Sequence, residues 1–185
     1  LAEKTPTNAA ELTSRVKIAD CAARIVILNG QFAPELSNLD RLPRGLVAGS
    51  LANAIVHNRP EVAHLGKTPW EHAPFVALNT AFLEDGAFVV IAANAVIEQP
   101  IHIVITNGGA GKTMAHPRTL IVAGANSQAR IAQTFLGAAG ESHFTNSVTE
   151  VSAGDNAILD LYTDQGEIDT AYQIAALNIQ LQRNA

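Results

Sequence analysis

The chain contains 185 residues, of which 48% are apolar and 5% aromatic, and it carries a formal net charge of −5. This composition predicts a core of stacked Ala, Val, Ile and Leu side chains, and the lack of a Lys or Arg block excludes nucleic acid as an expected partner. A single cysteine excludes an internal disulfide, and no apolar run approaches the roughly 20 residues of a membrane span, so we expect a cytoplasmic protein without membrane contact.

The first 86 residues predict a small region of mixed helix and strand. Asn29-Gly30 is a strong turn signal after an apolar strand, and Pro60 interrupts a longer helical pattern. The predicted elements in this region are a helix over 8–20, a strand over 24–28, two short helices over 50–65 and a helix over 75–82.

Residues 87–185 predict a ladder of short strands. Three passages repeat a strand, a small-residue turn and a second strand: VIAANAVIEQPIHI from residue 90, LIVAGANSQARI from residue 120, and TEVSAGDNAILDL from residue 149. Ile101 and Ile131 lie 30 positions apart, and Ala129 and Ala157 lie 28 apart. A repeat of this kind is typical of a solenoid, in which each unit buries its apolar face against its neighbours. Alternating apolar residues predict strands at 101–105 and 177–181.

The loop that ends in Gly111-Lys112-Thr113 imitates a phosphate-binding motif. A P-loop requires glycine five residues before its second glycine, and Thr106 occupies that position here. A P-loop also opens a helix, whereas Pro117 and a strand follow this loop. We therefore expect flexible loops at 107–111 and 136–140, and no nucleotide site.

No other residue pattern predicts catalysis or metal binding. His102 alternates with buried isoleucines and is expected to point outward, whereas His116 is expected to hydrogen-bond in its turn. The six histidines lack HxH or HxxxH spacing: His57, His64, His72, His102, His116 and His143.

The carboxylates near Gly166 lack the order of a calcium-binding EF-hand loop, so we expect a solvated turn between coils. Cys21 has no nearby histidine to activate it. Arg118 and Arg130 are expected to be surface or interface charges. The four carboxylates are Asp160, Asp164, Glu167 and Asp169.

Several segments resemble the SufB and SufD family of the SUF iron–sulfur assembly system, more closely its SufD branch. The resemblance covers residues from about 20 to 185 and rests on the order of these segments. They are RIVILNGQF at 24–32, PELS at 34–37, FVALNTAFLEDGAF at 75–88, EQPIHI at 98–103, HPRTLIV at 116–122 and FTNSVTE at 144–150.

The resemblance implies a right-handed parallel β-helix (residues 87–185) after a helical or mixed amino-terminal region (1–86). It also implies a non-catalytic scaffold subunit that pairs with SufB-like and SufC-like proteins, in a complex whose product is the iron–sulfur cluster. The family's histidine near the SufB cysteine and its SufC-binding helical region would both lie beyond Ala185, so we expect a chain truncated at its C-terminal end. No catalytic, cofactor-binding or metal-binding residue is assigned to it.

Two other functions remain open on the sequence. A carbohydrate-active β-helix enzyme requires stacked carboxylates on one coil face, such as Asp160 with an acidic neighbour on the next coil. A structural solenoid requires self-association through the exposed end of the coil, which would make a homo-oligomer the expected assembly.

Overall fold

The structure is a computed structural model that describes residues 18, 20–67, 73–108, 112–137 and 142–185. Within these residues the chain is mainly β, with two α-helices and short 3-10 turns at Pro34–Leu36 and Pro60–His64. The elements are β1 (Ala23–Leu28), β2 (Gln31–Phe32), β3 (Leu46–Ser50), α1 (Leu51–Val56), α2 (Pro74–Ala81), β4 (Gly86–Ile91), β5 (Ile101–Asn107), β6 (Thr113–Ala115), β7 (Arg118–Ala123), β8 (Gln128–Gly137), β9 (His143–Ala153), β10 (Ile158–Gly166) and β11 (Tyr172–Leu181).

The strands form two mixed sheets. Sheet A has the order β10-β8-β5-β1-β2, and sheet B has the order β11-β9-β7-β4-β3, with β6 paired to β9. From β4 onward the chain passes back and forth between the sheets, and each strand pairs in parallel with the strand one passage earlier. Only β2 and β3 pair antiparallel to their neighbours among the described strands.

From β4 onward, the register between parallel neighbours in one sheet advances by 28 to 32 residues. Ile101 pairs with Ile131, which confirms the 30-residue spacing predicted for these two positions. The 28-residue spacing of Ala129 and Ala157 is not a strand pairing, because Ala129 pairs with Leu159. Both predicted alternating runs are strands, β5 and β11.

The amino-terminal elements contribute strands to both sheets. The β1 strand pairs in parallel with β5, and β3 pairs with β4. The predicted Asn29-Gly30 turn joins β1 to β2, with φ of 51° and 82°. In the region of the two predicted short helices, Ser50 caps α1 by accepting a hydrogen bond from the Asn53 amide, and Pro60 begins a separate 3-10 turn.

The predicted helix over 75–82 is observed as α2, while the predicted helix over 8–20 lies almost entirely outside the described residues. Among the described residues, none of the helices is long and apolar enough to span a bilayer. In the loop that imitates a P-loop, residues 109–111 are not among the described residues. Thr113 begins strand β6 rather than the helix that a P-loop requires. In the other predicted loop, Leu136 and Gly137 end β8 and the remainder lies outside the described residues.

An apolar core lies between the two sheets and consists mainly of Ala, Val and Ile side chains. Ile25, Ile103, Val89 and Ile121 belong to this one cluster and are almost fully buried. Because parallel strands in register project the same positions to the same face, each passage adds one layer to this core.

An asparagine recurs at one corner of every passage from β4 to the end of the chain. Each has a left-handed backbone, with φ between 56° and 63°, which asparagine tolerates better than other residues with a side chain. Each later side-chain amide donates to Oδ1 of the preceding asparagine at 3.0 to 3.3 Å. The four residues of this asparagine ladder are Asn94, Asn126, Asn156 and Asn184.

Candidate functional site

A buried polar cluster lies where α2 covers the outer face of sheet B. Arg118 on β7 is directed to Glu150 on β9, with Nη2 2.5 Å and Nε 2.8 Å from Oε1. The two side chains are 3% and 4% exposed. The prediction that Arg118 is a surface charge is therefore wrong, whereas Arg130 is exposed as predicted.

Asn79 connects this ion pair to the helix. Its Oδ1 accepts from Arg118 Nη1 at 3.1 Å, and its Nδ2 donates to the carbonyls of Pro117 and Asn146. Glu150 Oε2 accepts from the Gly66 amide at 2.8 Å. These bonds satisfy a buried charge pair from two sheet strands and from the amino-terminal segment, so they fix that segment against the sheet.

His116 stands beside this cluster within a group of aromatic rings. Its ring stacks on Phe82 at 5.4 Å and meets Phe144 edge-on at 6.3 Å, and Phe144 meets Phe75 edge-on at 6.4 Å. Asn146 donates to His116 Nδ1 at 3.1 Å, a contact across strands rather than the predicted bond within the turn. Burial lowers the pKa of His116, so the ring is neutral near pH 7 and carries its proton on Nε2.

Amide and hydroxyl side chains occupy the other half of the interior. Gln133 of sheet A reaches across to sheet B, where its amide donates to Thr119 at 3.5 Å and Thr149 at 3.2 Å. In the same part of the interior, Asn107 donates to Thr145 Oγ1 at 2.6 Å. The interior is therefore apolar near the asparagine ladder and polar toward the opposite end of the strands.

His102 lies on the outer face of sheet A, away from Ile101 and Ile103 as predicted, but it is fully buried rather than exposed. Its Nε2 is 2.9 Å from Thr134 Oγ1, and none of the described residues offers a hydrogen-bond partner to its Nδ1. Burial, with a smaller effect of Arg24, lowers the pKa of His102 to about 4, and Asp164 opposes this shift.

The predicted acidic turn is divided by the fold. Oε2 of Glu167 accepts a hydrogen bond from Nε2 of His143 at 2.8 Å. Asp160 is exposed on β10 and pairs in register with Arg130, not with another carboxylate. Asp160 therefore has no acidic partner on the adjacent described strand, and the stacked acids of a carbohydrate-active enzyme stay a prediction.

Neither a metal centre nor a reactive thiol emerges from the described residues. No three His, Cys, Asp or Glu side chains among them are grouped as metal ligands. Burial raises the pKa of Cys21 although Arg24 counteracts it, so the thiol stays protonated near neutral pH. Sequence reasoning missed the Arg118 cluster, and its one signal was Asn79, a polar residue on the apolar side of a predicted helix.

Comparison with known proteins assigns the chain to a family. Residues 13–103 match the model described as the SufBD protein N-terminal region, and residues 104–185 match the SufBD core domain of SUF system FeS cluster assembly. The chain is 33% identical over 168 residues to an iron-sulfur cluster assembly SufBD family protein of a Synechocystis species. The aligned part is 85% of this chain and 37% of that relative. Because two adjoining regions of one family together match nearly its whole length, the chain belongs to the SufBD family of the SUF system for iron–sulfur cluster assembly.

Proposed function

We propose that this chain is part of a non-catalytic, SufD-like scaffold subunit that pairs with a SufB-like protein and a SufC-like ATPase in the cytoplasm. The observation that carries the proposal is the continuous match of both family regions over residues 13–185. In this reading the iron–sulfur cluster is the product of the complex, and the chain itself holds no cofactor.

The two sheets are, in this proposal, successive coils of a right-handed parallel β-helix. Support comes from the passage of the chain between sheets and from parallel registers that advance by similar lengths. Parallel strands joined by crossovers are almost always right-handed, which favours this hand. Such a coil offers extended faces for partners rather than a deep cleft for a substrate.

A non-catalytic role also agrees with the chemistry of the candidate residues. The Cys21 thiol is a weak nucleophile near neutral pH because its pKa is raised. Arg118 and Glu150 are committed to each other and to neighbouring residues, so they are poorly placed to act on a substrate. We therefore assign no chemical step to this chain.

Co-purification tests the proposed partners. Full-length protein, affinity-tagged and co-expressed with its SufB-like and SufC-like counterparts, is expected to elute with both. Residues 1–185 alone are expected to retain little SufC-like protein. Strong retention of the SufC-like protein by residues 1–185 would contradict the proposal that the SufC-binding region lies beyond residue 185. Failure of the full-length protein to hold either partner would overturn the scaffold role.

A second candidate function, a self-associating solenoid, is favoured by one observation. Leu177, Ile179 and Leu181 project from the inner face of β11, the end strand of sheet B, and are 47% to 60% exposed. Light scattering between about 5 and 200 µM tests this candidate over the range in which weak protein dimers form. A mass that increases with concentration supports self-association, and a constant monomer mass excludes it.

A further inference from the structure

A groove with a volume of about 470 Å³ lies between the end of α2 and strand β6. Its apolar and aromatic lining includes Leu78, Phe82, Met114 and His116. Glu84 adds a carboxylate to the lining. The groove thus joins the part of the chain matched by the amino-terminal family model to the part matched by the core model, and pockets favour such junctions.

The groove opens onto apolar surface rather than polar surface. Phe82 is 61% exposed and Met114 is 63% exposed. Met114 pairs in register with Phe144 and Phe144 with Tyr172, so these side chains project from the same face of sheet B. Methionine and aromatic side chains are the types enriched at protein interfaces, and a contiguous patch of them marks an interaction site.

The wall of the groove is held in place before any partner arrives. The Phe82 and His116 rings are stacked with an interplanar angle of 23°. Asn146 fixes the His116 ring through Nδ1 and is itself held by donation to the Phe75 carbonyl at 2.8 Å. A preformed wall loses little side-chain entropy on binding, which favours a stable contact from a small area.

The lining contains one carboxylate, Glu84, with which no described cation forms an ion pair. Glu84 is exposed, and its Oε2 accepts a hydrogen bond from Gln31 Nε2 at 2.8 Å. None of the ion pairs among the described residues includes Glu84. A ligand that places a positive charge here would therefore gain an attraction that none of the described residues already supplies.

We propose that this groove, formed by Leu78, Phe82, Glu84, Met114 and His116, binds a segment of a partner protein in which an apolar side chain is followed by lysine or arginine. The apolar side chain packs against Phe82 and Met114, and the cation pairs with Glu84. The proposal is independent of the scaffold role, because it rests on the exposure, shape and charge of this surface.

The single methionine of the sequence makes the groove directly observable. The chain is labelled with 13C in the methionine methyl group, and the Met114 resonance is assigned by its loss in Met114→Leu. The probes are acetylated, amidated peptides Gly-Phe-Leu-Lys-Lys-Gly, Gly-Phe-Leu-Glu-Glu-Gly and Gly-Gly-Ser-Lys-Lys-Gly. We expect a saturable shift of Met114 with the first peptide and none with the other two.

Two variants assign the contacts. Glu84→Gln is expected to weaken binding of the Phe-Leu-Lys-Lys peptide about three- to fivefold, as for an exposed ion pair. Phe82→Ala is expected to weaken it about tenfold or more, as for a central aromatic residue of an interface. Val56→Ala, a change at an exposed side chain of α1, serves as the control and is expected to leave binding unchanged.

Three results would overturn the proposal. The first is the absence of a saturable shift with the basic apolar peptide at several millimolar. The second is equal binding of the acidic peptide or of the Glu84→Gln variant. The third is a Met114 shift that changes on dilution without peptide, which would identify a second copy of this chain as the occupant.

Discussion

The guanidinium of Arg118 and the carboxylate of Glu150 form a buried ion pair between neighbouring strands, although 32 positions separate them in the chain. The same guanidinium also donates to Asn79 and Thr80 of α2. One charge pair therefore connects two successive passages of sheet B with the helix that covers them. Its main consequence is that removal of either partner leaves a buried charge without compensation.

We predict that Arg118→Met lowers the free energy of unfolding by about 3–5 kcal/mol, the range measured for a buried charge that has lost its partner. Arg118→Met combined with Glu150→Met should recover part of the loss, because no charge then stays buried. Urea denaturation at pH 7, followed by circular dichroism, measures both values.

The exposed pair of Arg183 and Asp155 is the matched control, since it also joins successive passages of the chain. Asp155→Asn should change the free energy of unfolding by less than about 1 kcal/mol, as is usual for surface ion pairs. An Arg118→Met variant no less stable than Asp155→Asn would show that the buried pair does not hold these elements together.

Sequence alone could not have located this cluster. An arginine at a strand entry is usually exposed, and only the packing of α2 on sheet B removes Arg118 from solvent. The strand pattern does place Arg118 and Glu150 on one face of sheet B, but only after the register between β7 and β9 is known. The only sequence signal for the cluster is Asn79, a polar residue among the apolar residues of α2.

The asparagine ladder leads to a second prediction. Asn126 donates to Asn94 and accepts from Asn156, and its φ is 56°. Asn126→Ala loses both side-chain bonds and also imposes a left-handed backbone on alanine, so we expect a loss of about 2 kcal/mol. Asn126→Gly loses the bonds but tolerates the backbone, and should lose about 1 kcal/mol less.

The comparison of the two variants separates the causes. Thermal and urea denaturation of both, beside the wild-type chain, measure the differences. Equal losses of unfolding free energy in Asn126→Ala and Asn126→Gly would show that the left-handed backbone does not contribute to the difference. An Asn126→Gly variant as stable as the wild type would show that the side-chain hydrogen bonds do not stabilise the fold.

The repeat of strands was largely predictable from the sequence. The spacing of Ile101 and Ile131 reflects a real pairing, because apolar side chains at equal positions of successive passages meet in the core. The alignment of Ala129 with Ala157 failed because sheet A keeps its 30-residue offset here and places Leu159 opposite Ala129. From β4 onward the offset varies only in sheet B, from 32 residues between β4 and β7 to 28 between β9 and β11. The asparagines at the corner keep the true register, since their backbone conformation is required in each turn.

Gly86 is expected to be intolerant of any side chain. A Cβ at this position would lie 1.7 Å from the Arg118 carbonyl oxygen. Because this oxygen belongs to the backbone, no side-chain rotation could relieve the overlap. Gly86→Ala should therefore displace β4 from β7 and lower the free energy of unfolding by about 3 kcal/mol, the upper end for overpacked sites.

Gly49 on the adjacent strand β3 is the matched control, because a Cβ there would meet no atom within 4 Å. Gly49→Ala should leave the stability unchanged or slightly higher, since alanine restricts the unfolded chain. Urea denaturation of both variants makes the comparison, and similar stabilities would contradict the close approach of β4 and β7.

His102 leads to a prediction about acid stability. Thr134 on β8 contacts its ring, and the charges of Arg24 on β1 and Asp164 on β10 also act on it. Its pKa is about 4 in the folded chain and 6.5 in the unfolded one. Between these values the unfolded state binds more protons, so the stability contributed by neutral His102 is present above pH 6.5 and is lost as the pH falls to about 4.

The shift corresponds to about 3 kcal/mol over this window. His102→Gln does not titrate there, so the difference in unfolding free energy between wild type and His102→Gln should shrink by about 3 kcal/mol from pH 7 to pH 4. Urea denaturation at half-unit pH steps measures the difference. His64→Gln, at an exposed histidine, should follow the wild-type pH profile. If His102→Gln followed that profile as well, the buried imidazole could not be the group that makes the fold sensitive to acid.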